Sequence, residues 1–396
     1  MRNKKILFIS FEFIYLLISL FIYFITSKKI DLFILYFFVS FIFRFIIYLF
    51  LYDKVNTKKN VVFFFVLQII INLFLYIQYI DLLNNRKMII IPNMLLYNYI
   101  VYSYIIKKYG FILSHENYMK ILYILPKKIG HSILYKKIYK KNLDIKNPKT
   151  FDEKLHWLMI NYYGKKEAKL TDKEQVKKYI NNLNLPELNV PKTYFIINSK
   201  KENYKFPKKY VLKVNHGSGD VFVCNESKSF DYNQAITKLE KLKKKNYALN
   251  WLEYHYKYIS PIIMCEEFLD EGNGKRPIDY KFMCFDGNVD SILICSNRDE
   301  GLKLDFYNTN WKYIDYVKEE YRSGVKMQKP KNLEKMIEIA SKISKGFPFV
   351  RVDLYDIKGK IYFGEMTFTP AAGFNFYYND KFQIELGRKI DINKLR

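Results

Sequence analysis

Four long apolar runs fill the first hundred or so residues of this chain, and nothing like them recurs later. Residues 7–26, 32–51 and 61–82 each hold enough consecutive apolar side chains to cross a bilayer as a helix. Residues 88–106 make a fourth candidate, interrupted by Pro92, Asn93 and Asn98. Lys and Arg punctuate every gap, and the gap at 53–60 is richest in Lys. That pattern predicts about four spans with both chain ends on the cytoplasmic side. Glu12 and Arg44 lie inside spans, where they would pair or snorkel to the headgroups, with a lipid-substrate groove as the alternative reading.

From Asn147 the pattern changes to short elements with mixed periods. Thr150 followed by Glu153 has capping-box spacing and opens a helix. Residues 170–180 form a second capped helix, with Val176, Tyr179 and Ile180 on its apolar stripe. Pro191 leads into a strand at 193–197. Residues 210–214 and 221–224 read as a hairpin with the glycine-rich tip His216-Gly-Ser-Gly-Asp. Helical patterns follow at 231–247 and around 251–259, then a strand at 262–268. A hairpin at 280–296 turns on Asp286-Gly287, and 333–344 reads as a helix.

The last hairpin, FVRVDLYDIKGKIYFGEMTFTPAAG, covers 349–373. Val350, Val352 and Leu354 should face one way, and Arg351, Asp353 and Tyr355 the other. On the return strand Tyr362, Met366 and Phe368 should oppose Glu365, Thr367 and Thr369. Pairing Tyr355 with Ile361 would set Arg351 across from Glu365, with Asp353 on the same face. Diagonal neighbours on a sheet face are roughly 7–8 Å apart. Two carboxylates that close repel unless a cation sits between them, and hard oxygen donors suit Mg²⁺.

Strands and helices mix without strict alternation, which predicts an α+β fold. Three regions are expected: a helical transmembrane bundle at 1–108, a basic juxtamembrane connector at 109–150, and a globular domain at 151–396. In the connector, Lys127, Lys128, Lys136, Lys137, Lys140 and Lys141 would attract anionic headgroups, or simply face water.

Charge changes this picture only a little. Lys+Arg 65 against Asp+Glu 39 gives +26, which favours an acidic partner. Lys, Asn, Ile, Phe and Tyr are abundant together, so part of that charge is compositional. No zinc-finger spacing or aromatic RNA-binding motif is present, and nucleic acid is not an expected partner. Cys224, Cys265, Cys284 and Cys295 are widely spaced in apolar runs and read as reduced core residues.

The candidate chemistry is spread along the globular part. Lys173 follows Asp172 at a helix start, and Lys213 ends a strand just before the glycine loop. Glycine lets backbone N–H groups approach phosphate oxygens closely. Glu266, Glu267, Phe268 and Leu269 end a strand whose backbone could meet an adenine edge. Asp279 and Lys281 share a strand face, and Arg351, Asp353 and Glu365 complete the set. Cations for phosphates and carboxylates for Mg²⁺ are what phosphoryl transfer needs. No GxxxxGK[ST], HExxH or DxD motif occurs.

In that order and spacing the motifs FDEKLHWL, TDKEQVKKYI, YVLKVNHGSGD, CEEFL, DYKFMCFDG, FVRVDLYDIKGKIYFGEMTFTP and IELGRKIDI resemble ATP-grasp proteins. They are most similar to the TupA-like branch, linked to teichuronopeptide and cell-surface polysaccharide synthesis. The resemblance runs from about Phe151 to Arg396 and leaves the apolar runs uncovered. It implies a two-lobed ATP-grasp fold. It also implies an ATP- and Mg²⁺-dependent carboxylate–amine ligase working through an acyl phosphate.

By the resemblance, Lys173 and Lys213 hold ATP phosphates and the loop of His216, Gly217, Ser218 and Gly219 closes over them. Glu266, Glu267, Phe268 and Leu269 form the adenine hinge, Asp279 reaches the ribose and Lys281 touches phosphate. Arg351 stabilises the transferred phosphoryl group, and Asp353 and Glu365 ligate magnesium. Thr367 stands where many such ligases place Asn, and a hydroxyl can also ligate. The expected partners are a lipid bilayer, an amino acid or amine, and a surface glycan or its lipid-linked precursor. The expected location is the plasma membrane, multi-pass, with the catalytic part cytoplasmic. A membrane-associated glycosyltransferase and a non-catalytic nucleotide-binding partner are the competing readings.

Overall fold

The computed structural model describes residues 115–198, 204–217, 219, 221–225, 230–271, 277–296 and 302–395. The four apolar runs, with Glu12 and Arg44, lie outside the described residues. No described helix is long and apolar enough to cross a membrane. The described residues belong to one compact unit, Leu113–Arg396.

The helices and strands follow in chain order. Five helices come first: α1 His115–Ile124, α2 Lys127–Tyr139, α3 Phe151–Asn161, α4 Lys165–Thr171 and α5 Gln175–Asn182. Next are β1 Leu188–Asn189, β2 Thr193–Ile197, β3 Tyr210–Val214, β4 Val221–Cys224, α6 Tyr232–Lys243, α7 Tyr247–Trp251 and β5 Ile263–Glu267. The chain ends with β6 Tyr280–Phe285, β7 Asn288–Ser296, β8 Lys303–Asn308, β9 Tyr313–Ile314, α8 Leu333–Ser344, β10 Val350–Ile357, β11 Lys360–Thr367 and α9 Asp380–Lys389.

Two sheets organise the unit, as an α+β fold. The larger has seven strands in the order β1-β11-β10-β6-β7-β8-β9, and the smaller four in the order β2-β5-β3-β4. Helices α3, α8 and α9 pack on the large sheet through Phe151, Leu155, Met336, Ile343 and Phe382, all buried. Helix α6 covers the small sheet with Ala235, Ile236 and Leu239. A third cluster joins α1 and α2 to Leu252, Tyr254, Ala372 and Phe374. The basic segment therefore packs into the globular unit through Met119, Leu122, Leu134 and Tyr135. Cys265 and Cys284 are buried and all four cysteines are free thiols.

Local signals hold at α3, where Thr150 accepts from Glu153 N at 3.2 Å and Glu153 accepts from Thr150 N at 3.0 Å. The β6–β7 turn places Asp286 and Gly287 at φ 47° and 81°, as a type I′ turn requires. The helix expected over 170–180 is instead two, α4 and α5. Asp172 breaks it, because its Oδ1 accepts from the backbone N–H groups of Glu174 and Gln175 at 2.9 and 3.1 Å. The helix expected around 251–259 is also divided. Leu252 adopts φ 63°, and a 3₁₀ turn, Tyr254–Tyr258, follows it.

The expected register of the last hairpin is wrong by one residue near its turn. Asp356, not Tyr355, pairs with Ile361, and Tyr355 pairs with Tyr362. Between Asp353/Glu365 and Leu354/Phe363 the return strand carries one extra residue, Gly364. This β-bulge reverses the side-chain parity. Ile361 and Phe363 are buried on one side of it, Met366 and Phe368 on the other, and Tyr362 is turned out of the core. At the far end Arg351 pairs with Thr367, and Asp353 sits directly across from Glu365. Arg351 is therefore not opposite Glu365; the two carboxylates share a rung.

Candidate active site

Strand β10 brings Arg351 and Asp353 to one face, β11 adds Glu365 and Thr367, and β6 adds Lys281 beside Asp353. Arg351 forks onto Asp353, with Nε to Oδ1 and Nη2 to Oδ2 both at 2.7 Å. The same Nη2 reaches Glu365 Oε1 at 2.9 Å and Thr367 Oγ1 at 3.0 Å. Lys281 is buried and pairs with both Asp353 and Asp279, the latter at 2.5 Å. The cation between the two carboxylates is thus Arg351, a bidentate donor whose planar fork suits that role.

Lys173 comes from the turn between α4 and α5, on the other side of the site. Its Nζ donates to Gly217 O at 2.8 Å and pairs with Glu365 Oε2 at 3.3 Å. One side chain thereby ties the glycine loop of the small sheet to the acidic hairpin of the large one. Asn215 fixes that approach. Its Nδ2 donates to Asp172 Oδ2 at 2.8 Å and to Ser260 O at 3.0 Å. Its own carbonyl accepts from Lys173 N at 3.1 Å.

A second charged group lies within the small sheet. Lys213 pairs with Glu266, and Lys177 reaches the same carboxylate at 2.9 Å. The Glu266 side chain is engaged here, and Glu267 N donates to Lys192 O at 2.9 Å. Strand β5 ends at Glu267, so Phe268 and Leu269 lie just past the ladder, both half-buried.

In the glycine loop, a Cβ at Gly217 would lie 2.7 Å from Val214 and 2.8 Å from the Tyr247 hydroxyl, so any larger residue would have to displace those side chains. Gly219 has φ 83°, and Ser218 lies outside the described residues. His216 turns inward: its ring meets Tyr247 edge-on at 4.7 Å and its Nε2 donates to Lys245 O at 3.3 Å.

The electrostatics separate the two hairpin carboxylates. Burial raises Glu365, but Lys173, Arg351 and Lys281 outweigh it and hold the carboxyl well below its ordinary range. Burial dominates at Asp353 and raises it; Arg351 and Lys281 oppose, while Asp279 and Glu365 add to the rise. At Lys281 burial and Arg351 disfavour the charge, yet Asp353, Asp279 and Glu365 together raise its pKa. Three cations (Lys173, Lys281, Arg351) thus face three carboxylates (Asp279, Asp353, Glu365).

That donor set fits magnesium. Mg²⁺ uses one or two carboxylates and completes its shell with water and phosphate oxygens. Asp353 and Glu365 supply the pair on one rung, with the Thr367 hydroxyl 3.1 Å from Glu365 Oε1. Among the described residues no cluster of three or more His, Cys, Asp or Glu side chains has metal-holding geometry.

Sequence reasoning missed Lys177, Asn215, Tyr256, Glu253 and Thr369. Lys177 stands four residues after Lys173, one turn along, and that spacing was the available signal. Thr369 donates to Glu253, which is buried, and Tyr256 lies close enough to Glu253 and Glu365 to feel both charges. Burial pushes Glu253 from 4.5 up to about 7, against the Thr369 hydrogen bond. The folded chain therefore keeps this proton above the pH at which the unfolded chain loses it. Its stabilisation is complete below about pH 4.5 and is lost as pH rises through about 7. Glu253→Gln removes the titration. The stability of E253Q relative to the wild type should rise by about 2–3 kcal/mol between about pH 5 and pH 8. Urea titrations at the two pH values measure it, and a pH-independent difference would refute the assignment.

Two sheets joined by a lysine bridge, with a glycine loop facing an acidic hairpin, define a protein of mixed α+β type whose site gathers three cations and three carboxylates. A sequence model described as TupA-like ATPgrasp matches residues 153–391. That is more than half of the chain, and this protein belongs to the TupA-like ATP-grasp family. No curated protein matches it. Among solved structures it is similar to D-alanine–D-alanine ligase from Bacillus anthracis, at 18% identity over 55% of this chain and 63% of that one, TM-score 0.32. It is also similar to L-amino acid ligase from Bacillus licheniformis, at 18% identity over 51% and 43%, TM-score 0.33. D-Alanine–D-alanine ligase from Helicobacter pylori aligns at 15% identity over 56% and 58%, TM-score 0.31. The chain spans less than two thirds of each of these proteins.

Proposed function

We propose that this protein is an ATP-dependent carboxylate–amine ligase that works at the plasma membrane in building a cell-surface polysaccharide. The observation that supports it most is the placement of Lys173 between Gly217 O and Glu365, with Arg351, Lys281 and Asp353 alongside. Phosphate-seeking cations and hard oxygen donors then share one site.

Lys173, Lys213 and Lys281 bind phosphate oxygens of ATP, and the backbone at Gly217 and Gly219 approaches them. Phe268 and Leu269 take the base, and Asp279 lies toward the ribose. Asp353 and Glu365, with Thr367 beside them, would hold Mg²⁺, which when bound would supply charge neutralisation for the transferred group. A substrate carboxylate attacks the γ-phosphorus; the bond to the β–γ bridging oxygen breaks, ADP leaves and an acyl phosphate forms. Arg351 stabilises the phosphoryl group in transfer, where positioning and charge carry most of the rate. A substrate amine then attacks the acyl carbon, phosphate leaves, and the amine's proton passes to solvent. The product is an amide, with no covalent enzyme intermediate. The amine belongs to an amino acid and the carboxylate to a glycan or lipid-linked precursor, or the reverse. Residues 7–106 would hold the enzyme beside such a precursor, with the ATP site on the cytoplasmic side.

Purified protein given ATP, Mg²⁺, an amino acid and a uronic acid should release ADP and phosphate only when both acceptors are present. Release of UDP from a UDP-sugar would favour a glycosyltransferase and overturn the ligase reading.

A further inference from the structure

Helix α2 presents an unusual solvent face. Ile129 and Ile133, one turn apart, are 48% and 40% exposed, and Ile124 just before the helix is 76% exposed. Exposed Lys128 and Lys136, eight residues or about two turns apart, flank them, and exposed Lys140 follows at the helix's C-terminal end. Residues 127–141, KKIGHSILYKKIYKK, hold six lysines and no Asp or Glu. The helix cannot slide free to bury these isoleucines, because Leu134 and Tyr135 on its opposite face are locked into the core.

The chain before the described residues says what covers this face. Its last apolar run ends at residue 106, nine residues before His115. Nine residues reach at most about 30 Å, and the ten residues of α1 add about 15 Å. If residues 7–106 are embedded, α2 is kept within reach of the bilayer surface.

We infer that this face of α2, with Ile124, docks on the surface of an anionic phospholipid bilayer. The isoleucines sit at the boundary between headgroups and acyl chains, and Lys128, Lys136 and Lys140 meet the phosphates. An amphipathic, acid-free helix face with apolar side chains among lysines has the chemistry of interfacial binding. The docking rests on the membrane anchoring proposed above and does not depend on the ligase chemistry. It fixes how the catalytic unit stands on the membrane, beyond merely tethering it.

Full-length protein in vesicles of phosphatidylcholine, with or without about one third phosphatidylglycerol, tests it by amide hydrogen exchange over residues 124–140. Exchange there should slow about tenfold with phosphatidylglycerol, relative to phosphatidylcholine alone or to detergent micelles. The triple variant K128E/K136E/K140E should lose that slowing while exchange in the large sheet stays the same. Equal exchange in all three environments with no dependence on the lysines would overturn the docking. Equal protection in all three would overturn it too, since the chain's own first residues would then be the cover. Flotation with neutral vesicles is a separate readout: a chain that fails to float refutes the anchoring. A chain that floats but shows no lipid-dependent protection refutes only the docking.

Discussion

Asp353→Asn should lower ATP turnover by about a thousandfold or more while leaving the two-sheet fold in place. Asp353 is buried and accepts from both arms of Arg351 and from Lys281. The amide keeps the volume and one acceptor oxygen but removes the charge. Loss of a single oriented electrostatic contact in a dry site costs about 10²–10³ in rate; under the proposed function a magnesium donor is lost as well. Two buried cations also lose their shared counter-charge, which costs about 3–5 kcal/mol when a pair is broken outright. Asp279 and Glu365 remain to hold Lys281 and Arg351, so the stability loss should fall below that range. Turnover and urea unfolding measured on one preparation separate the effects. Wild-type turnover in a folded D353N protein would remove Asp353 from the site.

Gly364→Ala should destabilise the large sheet and disable the site together. A Cβ at Gly364 would lie 2.8 Å from Asp353 O and 3.1 Å from the Tyr355 ring. The closer atom is backbone and cannot rotate away. Either the bulge opens or the hairpin slips by a residue, and a slip exchanges the two faces of the strand. Glu365 and Thr367 would then face the core and Met366 would face Arg351. The expected cost is about 2–4 kcal/mol, in the range of overpacked or strained positions. Activity should fall even under conditions where the variant stays folded. A G364A protein with unchanged stability and turnover would show that the bulge does not set the register.

These two residues show how far the sequence could be read. Asp353 was legible, because alternation over Val350–Leu354 puts Arg351 and Asp353 on one face whatever the rest of the chain does. Gly364 was not. Alternation carried through it gives the wrong neighbours, placing Tyr362 with Met366 and Arg351 opposite Glu365. A bulge adds a residue without any hydrophobic signature, and only the paired strand reveals it. Asp172 was legible as a helix start, and its carboxylate does accept from the first backbone N–H groups there; what the pattern hid is that α4 runs up to it from the other side.

The residues that carry the charge, the capping box at Thr150, the Asp-Gly turn and most strand positions were fixed by local chemistry, which acts over a few residues and so is written in order along the chain. Which distant carboxylate each cation meets was decided by tertiary structure alone, although Arg351 with Asp353 shares a strand face two residues apart. Lys173 reaches Glu365 across 192 positions of sequence (365 minus 173), and Lys281 reaches Asp353 across 72. Ion pairing across strands and between sheets is indifferent to sequence distance, so those partners are chosen by strand pairing and by the approach of the glycine loop to the acidic hairpin, neither of which a local pattern records.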